Sequence, residues 1–419
     1  GITPKRISAS KRASRRFKGQ IRRCRRKVPS LLLLIERYRM IPRTLQMQRL
    51  RVVLQHVKMA RFSTQSTDEV LFNAVGDKRV IVLNRPKALN ALNLNMIRLI
   101  YPKMVEWETD PGVSMVMIKA VGEKAFCAGG DIRAVTEAGK VGDSLAKDFF
   151  KEEYILNFKI GSYKKPYLAA IDGITMGGGV GLSVHGKYRV ATERTVFAMP
   201  ETGIGLFPDV GGGHFLPWLQ GRLGIYLALT GFRLKGRDVY QAGVATHFVQ
   251  AEKLPALEET LMKLPEASEL HIEKVLDSFH SQNPIDKDKP FILAPYLDKI
   301  NSIFSQATLE DILKCLESDQ SEWAEKQLKT LKKMSPTSMK VTLRQLQMGE
   351  TLSLAEILQI EYRLSQRCLE DNDFYEGVRA VLIDKDQQPQ WRPDTLEGVT
   401  PEKLDWYFSP LPPDRELVL

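Results

Sequence analysis

The chain has 419 residues, 43% hydrophobic and 26% charged, enough to fill a sizeable core. No apolar run approaches the roughly 18 residues that a membrane span needs. Four cysteines (Cys24, Cys127, Cys315, Cys368) lie far apart without CxxC spacing, which argues against a disulfide framework or a zinc site and fits a reducing compartment.

The net charge of +11 is unevenly placed. Residues 1–67 carry 19 of the 61 Lys and Arg but one of the 50 acids, which leaves 42 cations against 49 acids in the remainder. A basic, acid-poor leader with apolar residues at helical spacing (Leu45, Leu50, Val53, Leu54, Val57) is the pattern of a mitochondrial presequence. Residues 1–65 are therefore set apart as a leader without a fold of its own, because like charges repel and little apolar surface can be buried. Met40 is read as its natural start, with 1–39 as an extension. A nucleic-acid-binding tail is the competing reading, and the acidic balance of the remainder counts against it.

From Asp68 onward the elements follow in order. Residues 69–73 and 79–83 predict a hairpin around Val75-Gly76-Asp77-Lys78. Residues 93–107 show helical spacing in Leu94, Ile97, Ile100, Met104 and Trp107, and Pro111-Gly112 ends it. Residues 113–120, 167–171 and, more weakly, 188–191 are apolar runs of the kind buried on both faces of a parallel sheet. Strand, glycine-containing loop and helix alternate to about residue 250, which predicts an α/β fold with functional groups at strand ends. Residues 256–386 read as a helical region broken at prolines, and 387–419 as an extended tail.

Three glycine-rich segments carry the candidate chemistry. Phe126-Cys127-Ala128-Gly129-Gly130-Asp131 follows the strand at 113–120, and Asp172 to Gly181 follows the strand at 167–171. Glycine lets backbone N–H groups approach a ligand, and two such loops can place two donors around one oxygen. Phosphate binding and tight packing are the plainer readings, although neither loop fits a P-loop or a dinucleotide fingerprint. The third segment, Pro200 to Gly213, sets Glu201 and Asp209 eight residues apart among apolar side chains, where a carboxylate pKa should rise. Spacing alone leaves Asp209 equally readable as a helix cap and Glu201 as a solvated loop acid. Cys127 reads as a packed thiol and His185 as a core histidine. The six histidines show no metal-ligand spacing.

In this order and at these separations the segments resemble the crotonase (enoyl-CoA hydratase/isomerase) family, over roughly residues 68–395. The resemblance also takes in Asn84 to Leu92 and the run Asp373 to Asp386. It implies a spiral of ββα units with parallel sheets over residues 66–255, followed by the helical region. It implies an oxyanion hole from the N–H groups of Ala128 and Gly178. It places Glu153, Gly178, Glu201 and Asp209 against the substrate and Lys87, Ala88, Leu89 and Asp131 along coenzyme A. Hydratases of the family use a second glutamate where this chain has Gly181, and usually carry glycine where it has Asp209. That exchange resembles a thioester hydrolase branch, with Glu201 and Asp209 as the catalytic pair. The implied reaction is hydrolysis of 3-hydroxyisobutyryl-CoA, and of 3-hydroxypropionyl-CoA, in valine breakdown in the mitochondrial matrix. The alternatives are an enoyl-CoA hydratase or isomerase, an RNA-binding relative without activity, and a CoA-binding structural subunit. The expectation includes no metal, no cofactor beyond the CoA of the substrate, no nucleic acid and no stable membrane anchor, with a homo-oligomer open.

Overall fold

The structure is a computed structural model that describes residues 68–419, so the readings made for the leader lie outside the described residues. β1 (Val70–Val75) and β2 (Lys78–Leu83) form the expected hairpin, closed at Gly76 with φ of +59°. Asn93 caps α1 (Leu94–Thr109) by accepting from the Met96 N–H, and the five apolar positions read from the sequence are buried.

The chain then repeats one unit: a strand in a large sheet, a short strand in a small sheet, then helix. β3 (Met115–Ala120) and β4 (Ala125–Cys127) lead into α2 (Ile132–Lys140) and α3 (Leu145–Gly161). β5 (Tyr167–Ile171) and β6 (Ile174–Met176) lead into α4 (Gly178–Gly181). β7 (Tyr188–Ala191) and β8 (Val196–Ala198) lead, through a 3-10 turn at Glu201–Ile204, to α5 (Gly212–Phe215) and α6 (Leu223–Thr230). β9 (Leu234–Lys235), α7 (Arg237–Gln241) and β10 (His247–Phe248) complete this part.

The large sheet has the order β1-β2-β3-β5-β7-β10, parallel except for the hairpin, and the small one the order β4-β6-β8-β9. Successive side chains of a strand point to opposite faces. Accordingly Tyr167, Ala169 and Ile171 of β5 enter the main core, while Leu168 and Ala170 enter a second core with Leu257, Leu261, Ile272 and Leu276. Those four come from α8 (Leu254–Met262) and α9 (Glu269–Ser281), which cover the outer face of the sheet.

The remaining helices are α10 (Leu297–Ile303), α11 (Leu309–Asp319), α12 (Glu322–Leu331), α13 (Pro336–Gly349), α14 (Leu354–Glu370) and α15 (Asp373–Val378). They contribute to the same main core as the sheets, so residues 68–419 form one compact unit. The tail departs from the expected extended form. Thr400 caps α16 (Pro401–Phe408), whose Tyr407 and Phe408 are buried. Proline at the first helical position removes an N–H that has no partner there, so Pro401 starts this helix rather than preventing it.

Candidate active site

The small sheet positions the site. β4, β6 and β8 lie side by side and parallel, and each delivers one element beyond its C-terminal end: the 128–130 loop, Gly177-Gly178, and Pro200-Glu201. These three elements line one cavity of about 750 Å³ together with Glu153 and Asp209. The arrangement follows the rule that ligands bind where parallel strands end.

The two glycine loops approach each other closely. Gly129 has φ of +116° and Gly177 has φ of +44°, conformations open to glycine but strained for other residues. A side chain on Gly178 would stand 2.6 Å from Glu153 Oε1 and 3.3 Å from the Gly130 nitrogen. Gly178 is the first residue of α4, so its N–H has no acceptor within the helix. The second donor differs from the one expected. The Ala128 N–H donates to the Leu89 carbonyl (3.1 Å), although Ala128 lines the cavity. Gly130 forms a parallel bridge with Leu92, in which Leu92 N–H donates to Gly129 and Asp131 N–H to Leu92. The bridge turns the Gly130 N–H the opposite way, and no acceptor for it exists among the described residues. The pair of free N–H groups is therefore Gly130 and Gly178, and the expectation for Ala128 is corrected. Alternation of backbone direction along the bridge decides it, and the spacing of glycines does not reveal that.

Three carboxylates converge on this pair. Glu153 on α3 is 1% exposed, and Glu201 and Asp209 are each 5% exposed. Glu201 Oε1 would lie 3.1 Å from a side chain on Gly177. Asp209 does not cap α5 with its side chain; its Oδ2 accepts a hydrogen bond from the Tyr154 hydroxyl at 2.9 Å. None of the three pairs with Lys or Arg among the described residues, and one oxygen each of Glu153 and Glu201 is buried without a partner. Burial, and then the neighbouring carboxylates, hold Glu153 and Glu201 well above the usual range. Burial raises Asp209 to about 7, with the Tyr154 hydrogen bond opposing the rise. Three such groups in one desolvated site cannot all ionise at neutral pH, so they share protons.

A test of the Tyr154 contact follows. Tyr154→Phe removes a bond that favours the ionised Asp209, so the Asp209 titration should move to higher pH, visible by carboxylate NMR or in the pH dependence of kcat.

The Asp209 loop is tied to the C-terminal helices. Glu361 on α14 accepts from the Gly211 N–H (2.7 Å), the Gly213 N–H (2.9 Å) and Gln345 Nε2 (2.8 Å). Gln345 on α13 also donates to the Pro208 carbonyl (2.8 Å). Between these anchors Val210 holds φ of +53°, costly for a β-branched residue and a mark of a loop fixed by its surroundings. Burial raises Glu361 to about 8.

The position where hydratases carry their second acid is closed here. A side chain on Gly181 would meet Asn157 Nδ2 at 2.6 Å and Val210 Cβ at 2.7 Å. Cys127 is a buried thiol whose pKa burial lifts to about 12, which excludes a resting thiolate. His185 is lowered by burial to about 4 and its Nε2 lies 2.7 Å from the Val210 carbonyl, a packed histidine rather than a base. Lys87 and Ala88 lie in an exposed 3-10 turn (Pro86–Ala88) that Leu89 ends, all three outside the cavity lining, and the Leu89 carbonyl holds the segment to the 128–130 loop. Asp131, also outside it, pairs with Arg85 at 3.1 Å.

Tyr154 and Gln345 carry no local sign of their roles in the sequence. Glu361 left one: it interrupts an apolar helical stripe, Ile357-Glu361-Leu364-Cys368, where an acid is buried only with partners.

A protein of Xenopus tropicalis described as mitochondrial 3-hydroxyisobutyryl-CoA hydrolase is 61% identical over 363 residues, covering 87% of this chain and 94% of its own. The Homo sapiens protein of the same description is 57% identical over 376 residues, covering 90% and 97%. Among solved structures, a carnitinyl-CoA dehydratase from Mycobacterium thermoresistibile superposes with a TM-score of 0.77 at 35% identity, covering 84% of this chain and 99% of its own. An enoyl-CoA hydratase from Rhodobacter sphaeroides gives 0.75 at 37%, covering 84% and 100%. The enoyl-CoA hydratase/isomerase family profile matches residues 78–408, and the chain belongs to that family.

Proposed function

We propose that the chain hydrolyses the thioester of 3-hydroxyisobutyryl-CoA, and of 3-hydroxypropionyl-CoA, releasing the hydroxy acid and CoA in mitochondrial valine breakdown. The observation that carries this reading is the burial of Glu201 and Asp209 in one cavity with the free Gly130 and Gly178 N–H groups, beside a Gly181 that has no room for a hydratase acid. The relatives described as hydrolases, at 57–61% identity, support the same substrate.

In this mechanism the thioester oxygen sits between Gly130 and Gly178. Each N–H strengthens its hydrogen bond as the carbonyl becomes an oxyanion, and one such donor is worth about 3 kcal/mol in the transition state. Glu201 takes a proton from the attacking water, or attacks the carbonyl carbon itself to give an anhydride that water then cleaves. Collapse of the tetrahedral intermediate breaks the C–S bond, and the sulfur leaves as CoA thiolate. Asp209, oriented by Tyr154, positions the water or the substrate hydroxyl and passes the proton on. Glu153 lies over Gly178 and contacts the acyl group. Lys87, Ala88, Leu89 and Asp131 sit along the outer parts of CoA, with Lys87 available to a phosphate. No metal or further cofactor enters these steps.

A thiol-release assay on 3-hydroxyisobutyryl-CoA tests the reading. Steady thiol release is the expected result. Loss of enoyl absorbance from a conjugated enoyl-CoA, with no thiol released from either compound, assigns the chain to hydration instead.

A further inference from the structure

A second cavity, of about 380 Å³, lies away from the catalytic one, with His185, Arg189, His214 and Trp218 in its wall and no acid among its lining residues. Arg189 donates from Nε to the Val244 carbonyl (2.8 Å) and from Nη1 to the Gly186 carbonyl (2.6 Å). It pairs with no carboxylate among the described residues, and its Nη2 has no acceptor there. Most arginines among the described residues differ: Arg79, Arg85, Arg98, Arg194, Arg222 and Arg379, for example, all face acids. His214 leaves its buried Nδ1 without a hydrogen-bond partner. A guanidinium fork in a partly desolvated pocket, without a counter-ion, attracts an oxyanion more strongly than the same group in water. The cavity is of a size to accept a small ligand, and Trp218, exposed at its rim, offers a flat apolar wall.

The cavity also touches the catalytic machinery from behind. His185 is one of its wall residues, and its Nε2 donates to the Val210 carbonyl, one residue from Asp209. A side chain on Gly211 would overlap the His185 ring, so ring and loop are in close contact.

We propose that this cavity is a second binding site, for a small oxyanion of the phosphate or carboxylate class, held between Arg189 and His214. Occupancy is transmitted through His185 to the loop that carries Asp209. The binding is independent of the proposed hydrolase activity; its effect on turnover rests on that reading.

Calorimetric titration of the full chain with inorganic phosphate, at constant ionic strength, tests the binding, and acetate as a second probe tells phosphate from carboxylate. Saturable binding in the millimolar range or tighter is expected. Arg189→Met should abolish it. Because that change also removes two carbonyl contacts, Trp218→Glu is the companion: it alters only the exposed rim, and its carboxylate should weaken binding by about tenfold. Absence of saturable binding to the parent chain, or binding untouched by both substitutions, overturns the site. Phosphate should also change kcat/KM for thiol release in the parent chain, and the Trp218→Glu chain should need about tenfold more phosphate for the same change. Binding without any change in kcat/KM overturns the link to Asp209, and an inhibition competitive with acyl-CoA that persists in both variants assigns the anion to the catalytic cavity.

Discussion

Glu201→Gln should lower kcat for thiol release by at least about a hundredfold, and Asp209→Asn by a similar factor, the usual scale for removing a positioned acid or base. Both changes are nearly isosteric, so the cavity keeps its shape. Stability should move the other way. The folded pKa of each acid lies above its unfolded value, which for Asp209 means about 7 against 3.8. The folded chain therefore binds protons that the unfolded chain has released. Stability from this source is full at low pH and is lost as pH rises through the interval from about 4 to about 7. The neutral amides escape that loss. Each variant should thus unfold at a higher temperature than the parent at pH 8, with the gap closing toward pH 4. A scan of melting temperature against pH checks this, and a variant that is inactive but more stable cannot owe its inactivity to misfolding.

The second large effect is expected at Glu361, which lies outside the cavity lining. Glu361→Ala leaves the buried Gly211 and Gly213 N–H groups without their acceptor, at about 1–3 kcal/mol each, and opens a hole beneath the Asp209 loop. Val210 then lacks what holds its left-handed backbone. Both the melting temperature and kcat should fall, with KM less affected because Glu361 does not line the substrate cavity. Glu361→Gln gives a sharper reading. Once ionised, above about pH 8, Glu361 is one of the influences that raise Glu201, so the neutral variant should shift the alkaline part of the Glu201 titration to lower pH. A role confined to packing would lower stability without moving the pH profile of kcat.

Much of this site could be read from the sequence because the fold keeps its chemistry beside glycine-rich turns. Residues 167–171 were legible as a buried strand because both faces are covered, so no polar residue interrupts them, whereas 188–191 read more weakly because Arg189 breaks the apolar run. β4, β6 and β8, the strands that aim the site, were not. Each has three residues, too short to show a period, and each is defined by a parallel neighbour some twenty to fifty residues away. Glu201 and Asp209 stood out as acids in apolar surroundings. Tyr154 did not, because its role comes from a hydrogen bond across 55 residues of chain. Glu361 and Gln345 reach the Asp209 loop across about 150 and 137 residues respectively, and only the packing of α13 and α14 reveals the contact. Choosing Gly130 over Ala128 required the direction of individual N–H groups, which composition and spacing do not encode.

The most direct measurement is a crystal structure of the full chain carrying Glu201→Gln with 3-hydroxyisobutyryl-CoA bound. The thioester oxygen should lie within about 3 Å of both the Gly130 and the Gly178 nitrogens, with the side chains at 201 and 209 on either side of the carbonyl carbon. A thioester bound elsewhere, or a carbonyl turned away from those two nitrogens, would contradict the account.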